Sequence, residues 1–119
     1  MVHYKLTYFN TRGLAETPRQ LFALAGQDFE DVRLTHEEFT GAKKENTPFG
    51  HLPMLEIDGK QLAQSMAICR YLAREFELAG KTPFNEALVD SLADQFADYR
   101  NEILPFIYTA YGFREGNVR

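Results

Sequence analysis

The decapeptide Gly50–Gly59, GHLPMLEIDG, constrains the fold of this chain more than any other stretch. Its apolar run Met54–Ile57 is too short for a helix, and the following Asp58-Gly59 is typical of a type I′ hairpin turn, in which both central residues have positive φ. Because proline has no N–H for a sheet ladder, Pro53 must begin this strand or lie on an edge. We predict a loop, a strand and a hairpin, with the Leu52-Pro53 bond a candidate for cis geometry that turns the Leu52 backbone outward.

The segments on either side alternate between strand and helix periodicity. They predict, in chain order, a strand over 2–9, a helix over 14–25 ending at Gly26, a strand over 29–34, a hairpin partner over 60–62 and a helix over 66–76. The polar stretch from 36 to 46 predicts at most a short helix. A strand–helix–strand unit crosses over right-handedly and makes a parallel pair, to which the hairpin adds antiparallel strands. The predicted fold class is α/β, a thioredoxin-like domain with a four-stranded mixed sheet.

The sequence changes character at Pro83, where apolar residues begin to recur every three or four positions as far as Ile107. Thr82 is the expected N-cap, and Pro83 suits the first helical position. Pro105 predicts a kink or a split in this helix. An amphipathic helix without a later element to cover it indicates the start of an all-α domain that is incomplete here or is covered by a partner.

Composition excludes several classes of function. The formal net charge is −4 with both signs interspersed, so no basic patch predicts nucleic-acid binding. No run approaches the ~20 apolar residues of a membrane span. The single cysteine, Cys69, suits a reducing cytosol, and the three scattered histidines give no metal-ligand spacing.

Three groups of motifs resemble the sigma-class glutathione S-transferases, in their nematode form. The motifs are Tyr4–Asn10 with Arg12-Gly13, Pro48–Gly59, and Gln64-Ser65 before Arg70-Tyr71-Leu72. The resemblance implies a thioredoxin-like glutathione-binding domain over 1–79 and the first helices of an all-α domain over 83–119. It also implies a cytoplasmic homodimer that conjugates the thiolate of reduced glutathione, a co-substrate, to hydrophobic electrophiles, with no resident cofactor and no metal.

The same resemblance assigns the site residues. Tyr8 is the expected catalytic residue, because a phenol with a pKa near ~10 stays protonated and its hydrogen bond stabilises a thiolate. Phe39 stands where many sigma members have a tryptophan, and phenylalanine has no N–H to donate. The glutathione-binding set implied by the family is Tyr8, Phe39, Lys43, Lys44, His51, Leu52, Gln64, Ser65 and Asp98.

Several assignments within this set stay open. This chain has one residue more than the family pattern between Phe39 and Pro48, so either Lys43 or Lys44 pairs with the glycyl carboxylate, and counting back from Pro48 favours Lys44. Without the resemblance, Ser65 is better interpreted as a simple N-cap, and this role is compatible with binding glutathione. Asp98 implies a contact with the partner's ligand, and its alternative is a solvated acidic helix face.

Two other classes of protein and one other reaction within the enzyme class compete with conjugation. The chain could be a non-catalytic glutathione-binding or structural relative, and within the enzyme class it could be a glutathione-dependent isomerase of prostaglandin-type endoperoxides. Retention of Tyr8, Gln64 and Ser65 favours the enzyme. The missing Cys-x-x-Cys motif argues against a glutaredoxin-like redox module.

Overall fold

A computed structural model describes residues 2–40 and 42–110, without the side chains of Ala42 and Tyr108. The chain divides between Leu78 and Ala79 into two units, each with its own internal contacts. This division lies close to the predicted one, although the predicted ranges 1–79 and 83–119 remain a prediction. Residues 111–119, the predicted end of the second domain, lie outside the described part.

The first unit is a mixed sheet with helices. In chain order its elements are β1 (Tyr4–Phe9), a 3₁₀ turn (Gly13–Ala15), α1 (Glu16–Ala25), β2 (Glu30–Leu34), α2 (Ala42–Glu45), β3 (Met54–Ile57), β4 (Lys60–Ala63) and α3 (Ser65–Glu75). The strands lie in the order β2-β1-β3-β4, with β1 parallel to β2 and the other two pairs antiparallel. The predicted thioredoxin-like sheet is therefore confirmed.

The turn chemistry agrees with the residues that the sequence provides. Asp58 and Gly59 both have positive φ, at 50° and 85°, as a type I′ turn requires. Gly26 ends α1 with φ of 65°. The Leu52-Pro53 bond is cis, as the sequence analysis suggested.

The core of this unit lies between the sheet and helices α1 and α3. Phe22, at the centre of α1, is fully buried, stacks on Phe29 at 4.3 Å between ring centroids, and meets Tyr4 edge-on at 5.2 Å. Fully burying one side chain of this kind stabilises a fold by roughly 1.5–3 kcal/mol. The other large side chains with no exposed surface are Leu6, Pro18, Leu55, Ile68 and Leu72.

The second unit contains α4 (Pro83–Ala110), which begins as predicted. The Thr82 hydroxyl accepts a hydrogen bond from the Asn85 N–H at 3.1 Å, so Thr82 is the N-cap. Of the two alternatives predicted at Pro105, the split is wrong, because one helix runs through this residue, and the kink stays a prediction. A proline removes only one bond of the ladder, and the helical bonds on both sides of Pro105 hold the segment together.

Exposed apolar side chains are frequent on α4. Phe84 is 71% exposed, Leu92 72% and Phe96 60%. None of the helices in 2–40 and 42–110 combines the length and the hydropathy that crossing a bilayer would require.

Candidate functional site

Strand register brings several of the predicted site residues to one end of the sheet. Thr7 on β1 lies opposite Met54 on β3, and Met54 lies opposite Ala63 on β4. The residue after Thr7 is Tyr8, the residues before Met54 are Leu52 and Pro53, and the residues after Ala63 are Gln64 and Ser65. Residues that are 44 to 57 positions apart from Tyr8 in the sequence therefore meet where these three strands begin or end.

The Tyr8 hydroxyl lies against the turn that follows β1. It accepts a hydrogen bond from the Leu14 N–H at 3.3 Å. That N–H is available because the first N–H groups of a helical turn have no partner within the turn. A phenol oxygen donates one proton and accepts others, and within the described part of the chain no group accepts the Tyr8 proton. The Tyr8 oxygen therefore accepts a hydrogen bond from the protein, while its proton remains available for donation to a ligand.

Arg19 links this turn to β2. Its side chain is only 8% exposed, its Nη1 donates to the Thr11 carbonyl at 2.7 Å, and its Nε pairs with Asp31 Oδ1 at 3.2 Å. The guanidinium carbon also lies 6.0 Å from the centroid of the Tyr8 ring, at the limit of a cation–π contact. One buried cation therefore joins α1, the loop after β1, β2 and the ring of Tyr8.

Gln64 has an unusual backbone at the start of α3. Its φ is 75° and its ψ is 117°, although it has a side chain, and such conformations cost of order 1–3 kcal/mol. Its carbonyl accepts the first helical bond, from Ile68 N at 3.0 Å. No side chain caps this end of the helix, so the interpretation of Ser65 as an N-cap is wrong: Ser65 is already the first helical residue, with Gln64 at the cap position.

The two lysines of α2 have different surroundings. The side chain of Lys44 passes Gly50: its Cε lies 3.5 Å from the position that a Cβ on Gly50 would occupy. Lys44 therefore lies beside the loop that leads to Leu52. Lys43 borders a cavity of about 230 Å³ that Phe39 and Leu52 also line. Phe39 packs edge-on against Phe9 at 5.7 Å.

Two predicted residues lie in open surroundings. His51 is exposed next to the buried Leu52. Asp98 is exposed on α4, in the second unit. The roles of all nine predicted residues remain predictions.

Cys69 lies half-buried on α3. Burial raises the pKa of its thiol from the ordinary value of 9.0 to about 11, which leaves it protonated and unreactive at neutral pH. Among the described residues, no group of three or more histidine, cysteine, aspartate or glutamate side chains is arranged to hold a metal ion.

Sequence reasoning missed three parts of this site: the Leu14 N–H, the buried Arg19 and the positive φ of Gln64. For Arg19 the sequence did contain a signal, a basic residue among the apolar positions of an amphipathic helix. Its neighbours Pro18 and Phe22 are buried on the same helix, and so is Arg19. No pattern in the sequence indicates the Gln64 backbone.

Comparison with known proteins identifies the family. The family model described as "Glutathione S-transferase, N-terminal domain" matches residues 4–74. Probable glutathione S-transferase 5 of Caenorhabditis elegans is 57% identical in an alignment of 119 positions that covers 99% of this chain and 58% of that protein. The chain thus spans a little over half the length of this relative.

Solved structures agree with this assignment. A Nu-class GST from Haemonchus contortus is 60% identical with a TM-score of 0.90, and the match covers 100% of this chain and 58% of that one. A monomeric glutathione S-transferase from the hookworm Necator americanus, Na-GST-3, is 59% identical with a TM-score of 0.92, covering 98% of this chain and 56% of that one. The chain belongs to the glutathione S-transferase family.

Proposed function

We propose that the complete protein is a glutathione transferase that conjugates the thiolate of reduced glutathione to hydrophobic electrophiles, with glutathione as co-substrate and no resident cofactor. The observation that carries this proposal is the Tyr8 hydroxyl, which accepts from Leu14 N–H and has its own proton available at the sheet end shared with Leu52 and Gln64.

The chemistry needs a stabilised thiolate. A thiol with a reference pKa of ~8.5 is mostly protonated at neutral pH, and the thiolate is the nucleophile. A hydrogen bond from the Tyr8 O–H to the sulfur favours the charged form and lowers the pKa of the thiol. The thiol proton leaves to solvent, and the sulfur lone pair then forms the bond to the electrophilic carbon. In a substitution the leaving group departs with the electron pair of its broken bond, and in an addition to an activated double bond the π electrons move to the adjacent atom, which takes a proton from solvent.

The rest of glutathione is assigned to the neighbouring elements. The N-terminus of α3 presents N–H groups and the positive end of the helix dipole, which favour the γ-glutamyl carboxylate beside Gln64 and Ser65. The backbone of Leu52, next to His51, pairs with the cysteinyl part. Lys44 is our choice for the glycyl carboxylate because its side chain follows the Gly50–Leu52 loop, whereas Lys43 faces the cavity beside Phe39.

Class, assembly and location complete the proposal. We assign the protein to the sigma class of the family, in its nematode form, acting as a cytoplasmic homodimer in which Asp98 reaches the partner's glutathione. Among the relatives, one is described as Nu-class and one as monomeric, so the assembly needs its own test. Sedimentation of the complete protein tests the dimer, and a monomer at micromolar concentration would remove the role of Asp98.

Replacement of the catalytic tyrosine tests the activity. Tyr8→Phe should bind glutathione but conjugate it roughly 10- to 100-fold more slowly, because one hydrogen bond to a charged group contributes about 1.5–3 kcal/mol. Tyr4→Phe is the matched control: Tyr4 lies on the same strand with 4% of its surface exposed, away from the Leu14 turn. Equal turnover of Tyr8→Phe, Tyr4→Phe and the unaltered protein with an aromatic electrophile would contradict the assignment. A complete protein without turnover would favour the non-catalytic alternative.

A further inference from the structure

Gly13 leaves the space that the Tyr8 hydroxyl occupies. A Cβ built on Gly13 lies 2.5 Å from Tyr8 Oη, 2.9 Å from Cε2 and 3.1 Å from Cζ. Ordinary van der Waals contact with a Cβ begins at 3.4 Å, so any side chain at this position displaces the phenol. No other glycine of the described residues has a tyrosine within reach of its missing Cβ.

The neighbouring contacts leave the phenol little freedom to move aside. Its hydroxyl accepts a hydrogen bond, at 3.3 Å, from the N–H of Leu14, the residue after Gly13. Its ring contacts Phe9 at 5.4 Å between centroids and lies beneath the guanidinium of the buried Arg19. A ring pushed away from residue 13 therefore loses the Leu14 bond or moves against one of these groups.

We infer that Gly13 is a positioning residue for thiolate formation: its missing side chain sets where the Tyr8 hydroxyl lies relative to the glutathione sulfur. The inference rests on the proposed function and assigns a further determinant of it. Glycine is required at this position for two reasons, its φ of +40° and the contact with Tyr8. The first reason acts on the backbone of the turn, and the second acts directly on the position of the Tyr8 hydroxyl.

Gly26 provides a control that separates these two reasons. It also has positive φ, at +65°, but a Cβ there meets nothing within 4 Å. Gly26→Ala therefore introduces the backbone strain of a positive-φ alanine without a collision. Both alanine variants should lose thermal stability, whereas only Gly13→Ala should alter the chemistry.

The experiment uses the complete protein and measures the pKa of the glutathione thiol in its complex, from the ultraviolet absorbance of the thiolate. In Gly13→Ala we expect this pKa to rise toward the ~8.5 of a free thiol, and kcat/KM with an aromatic electrophile to fall by up to about 100-fold, the scale of a 1 Å misplacement. Gly26→Ala should match the unaltered protein in both measurements. An unchanged thiol pKa in Gly13→Ala would overturn the inference.

A second ligand distinguishes positioning from general damage. S-methylglutathione has no thiol proton, so its affinity should be the same for Gly13→Ala and the unaltered protein by isothermal titration. An affinity loss as large as the loss in rate would show that Gly13 supports the whole site, and the positioning role would be wrong.

The Tyr8→Phe background covers the remaining outcomes. Phenylalanine lacks the closest atom, so Gly13→Ala should cost less activity there than in the unaltered protein; additive losses would overturn the inference. If Gly13→Ala fails to fold, a Tyr8→Leu background, which removes all three close atoms, decides the question: folding of that double variant supports the collision, and its failure beside a folded Tyr8→Leu rejects it. If Tyr8→Phe itself leaves the thiol pKa unchanged, Tyr8 does not stabilise the thiolate. The proposed function then fails, whatever the Gly13 variants show.

Discussion

The sheet unit and helix α4 use apolar residues in opposite ways. In the sheet unit, Phe22, Leu55 and Ile68 have no exposed surface, whereas on α4 Leu92 is 72% exposed and Phe84 71%. Both regions show the same helical spacing of apolar residues in the sequence. The spacing predicts which face of a helix is apolar, and only the tertiary contacts decide whether that face is buried.

This difference has an energetic meaning. The buried residues of the first unit stabilise it through contacts within the unit itself, so its fold follows from its own sequence. Exposed apolar groups that recur along a helix, as on α4, are typical of surfaces that contact another element or another chain. Changes in the two regions should therefore affect different measured quantities.

The largest expected effect comes from the centre of the core. Phe22→Ala should lower the free energy of unfolding by roughly 3–5 kcal/mol, because it removes the ring that packs on Phe29 and Tyr4. Leu92→Ala on α4 should change it by less than about 0.5 kcal/mol. Chemical denaturation of both variants measures the contrast. Comparable losses would mean that Leu92 is buried in the protein in solution.

An intermediate effect is expected at Asp31, which pairs with a buried and an exposed arginine. Asp31→Ala should cost about 2 kcal/mol, because it leaves the buried Arg19 with only Glu16 at 3.8 Å and the Thr11 carbonyl. Arg33→Ala removes the partner at 3.0 Å whose side chain is 44% exposed, and it should cost less than about 1 kcal/mol. Denaturant unfolding of the two variants compares them, and equal costs would contradict the importance of burial at Arg19.

The smallest effect, absent at neutral pH, concerns Cys69. The folded protein holds the thiol protonated up to a pKa of about 11, whereas the unfolded chain loses this proton near 9.0. Between these values the unfolded state binds fewer protons, so the stability should fall as the pH rises from about 9 to about 11.

Burial also raises the pKa of Tyr4 and Tyr71 above the ordinary value of 10.0, so both tyrosines add to the loss of stability at alkaline pH. Cys69→Ala therefore isolates the cysteine: its stability should fall less steeply over this range than that of the unaltered protein. Parallel pH profiles would show that the thiol contributes nothing.

The sequence was sufficient for the sheet because its local signals agree with one another. The Asp58-Gly59 turn, the Gly26 cap and the Thr82-Pro83 start are each specified by two or three adjacent residues. At Pro105 the sequence left a kink and a split open, because the cost of one proline has to be compared with bonds along the whole helix.

The site could be predicted only as a list of residues. The family resemblance named Tyr8 and Gln64, but the Leu14 N–H and the Gly13 clearance depend on the conformation of a turn that no side chain encodes. Arg19 was missed because its partners, Thr11 and Asp31, lie eight and twelve residues away. Contacts of this kind require the register of the strands to be known.

The register across Thr7, Met54 and Ala63 has a consequence for how this chain can vary in length. One residue inserted into β1, β3 or the turn between β3 and β4 would shift Tyr8 or Gln64 by one position and turn side chains to the other face of the sheet. The described residues between β2 and β3 are loop and a four-residue helix, so this segment can take up an insertion without moving a strand. The additional residue that the family resemblance implies between Phe39 and Pro48 would lie in that segment.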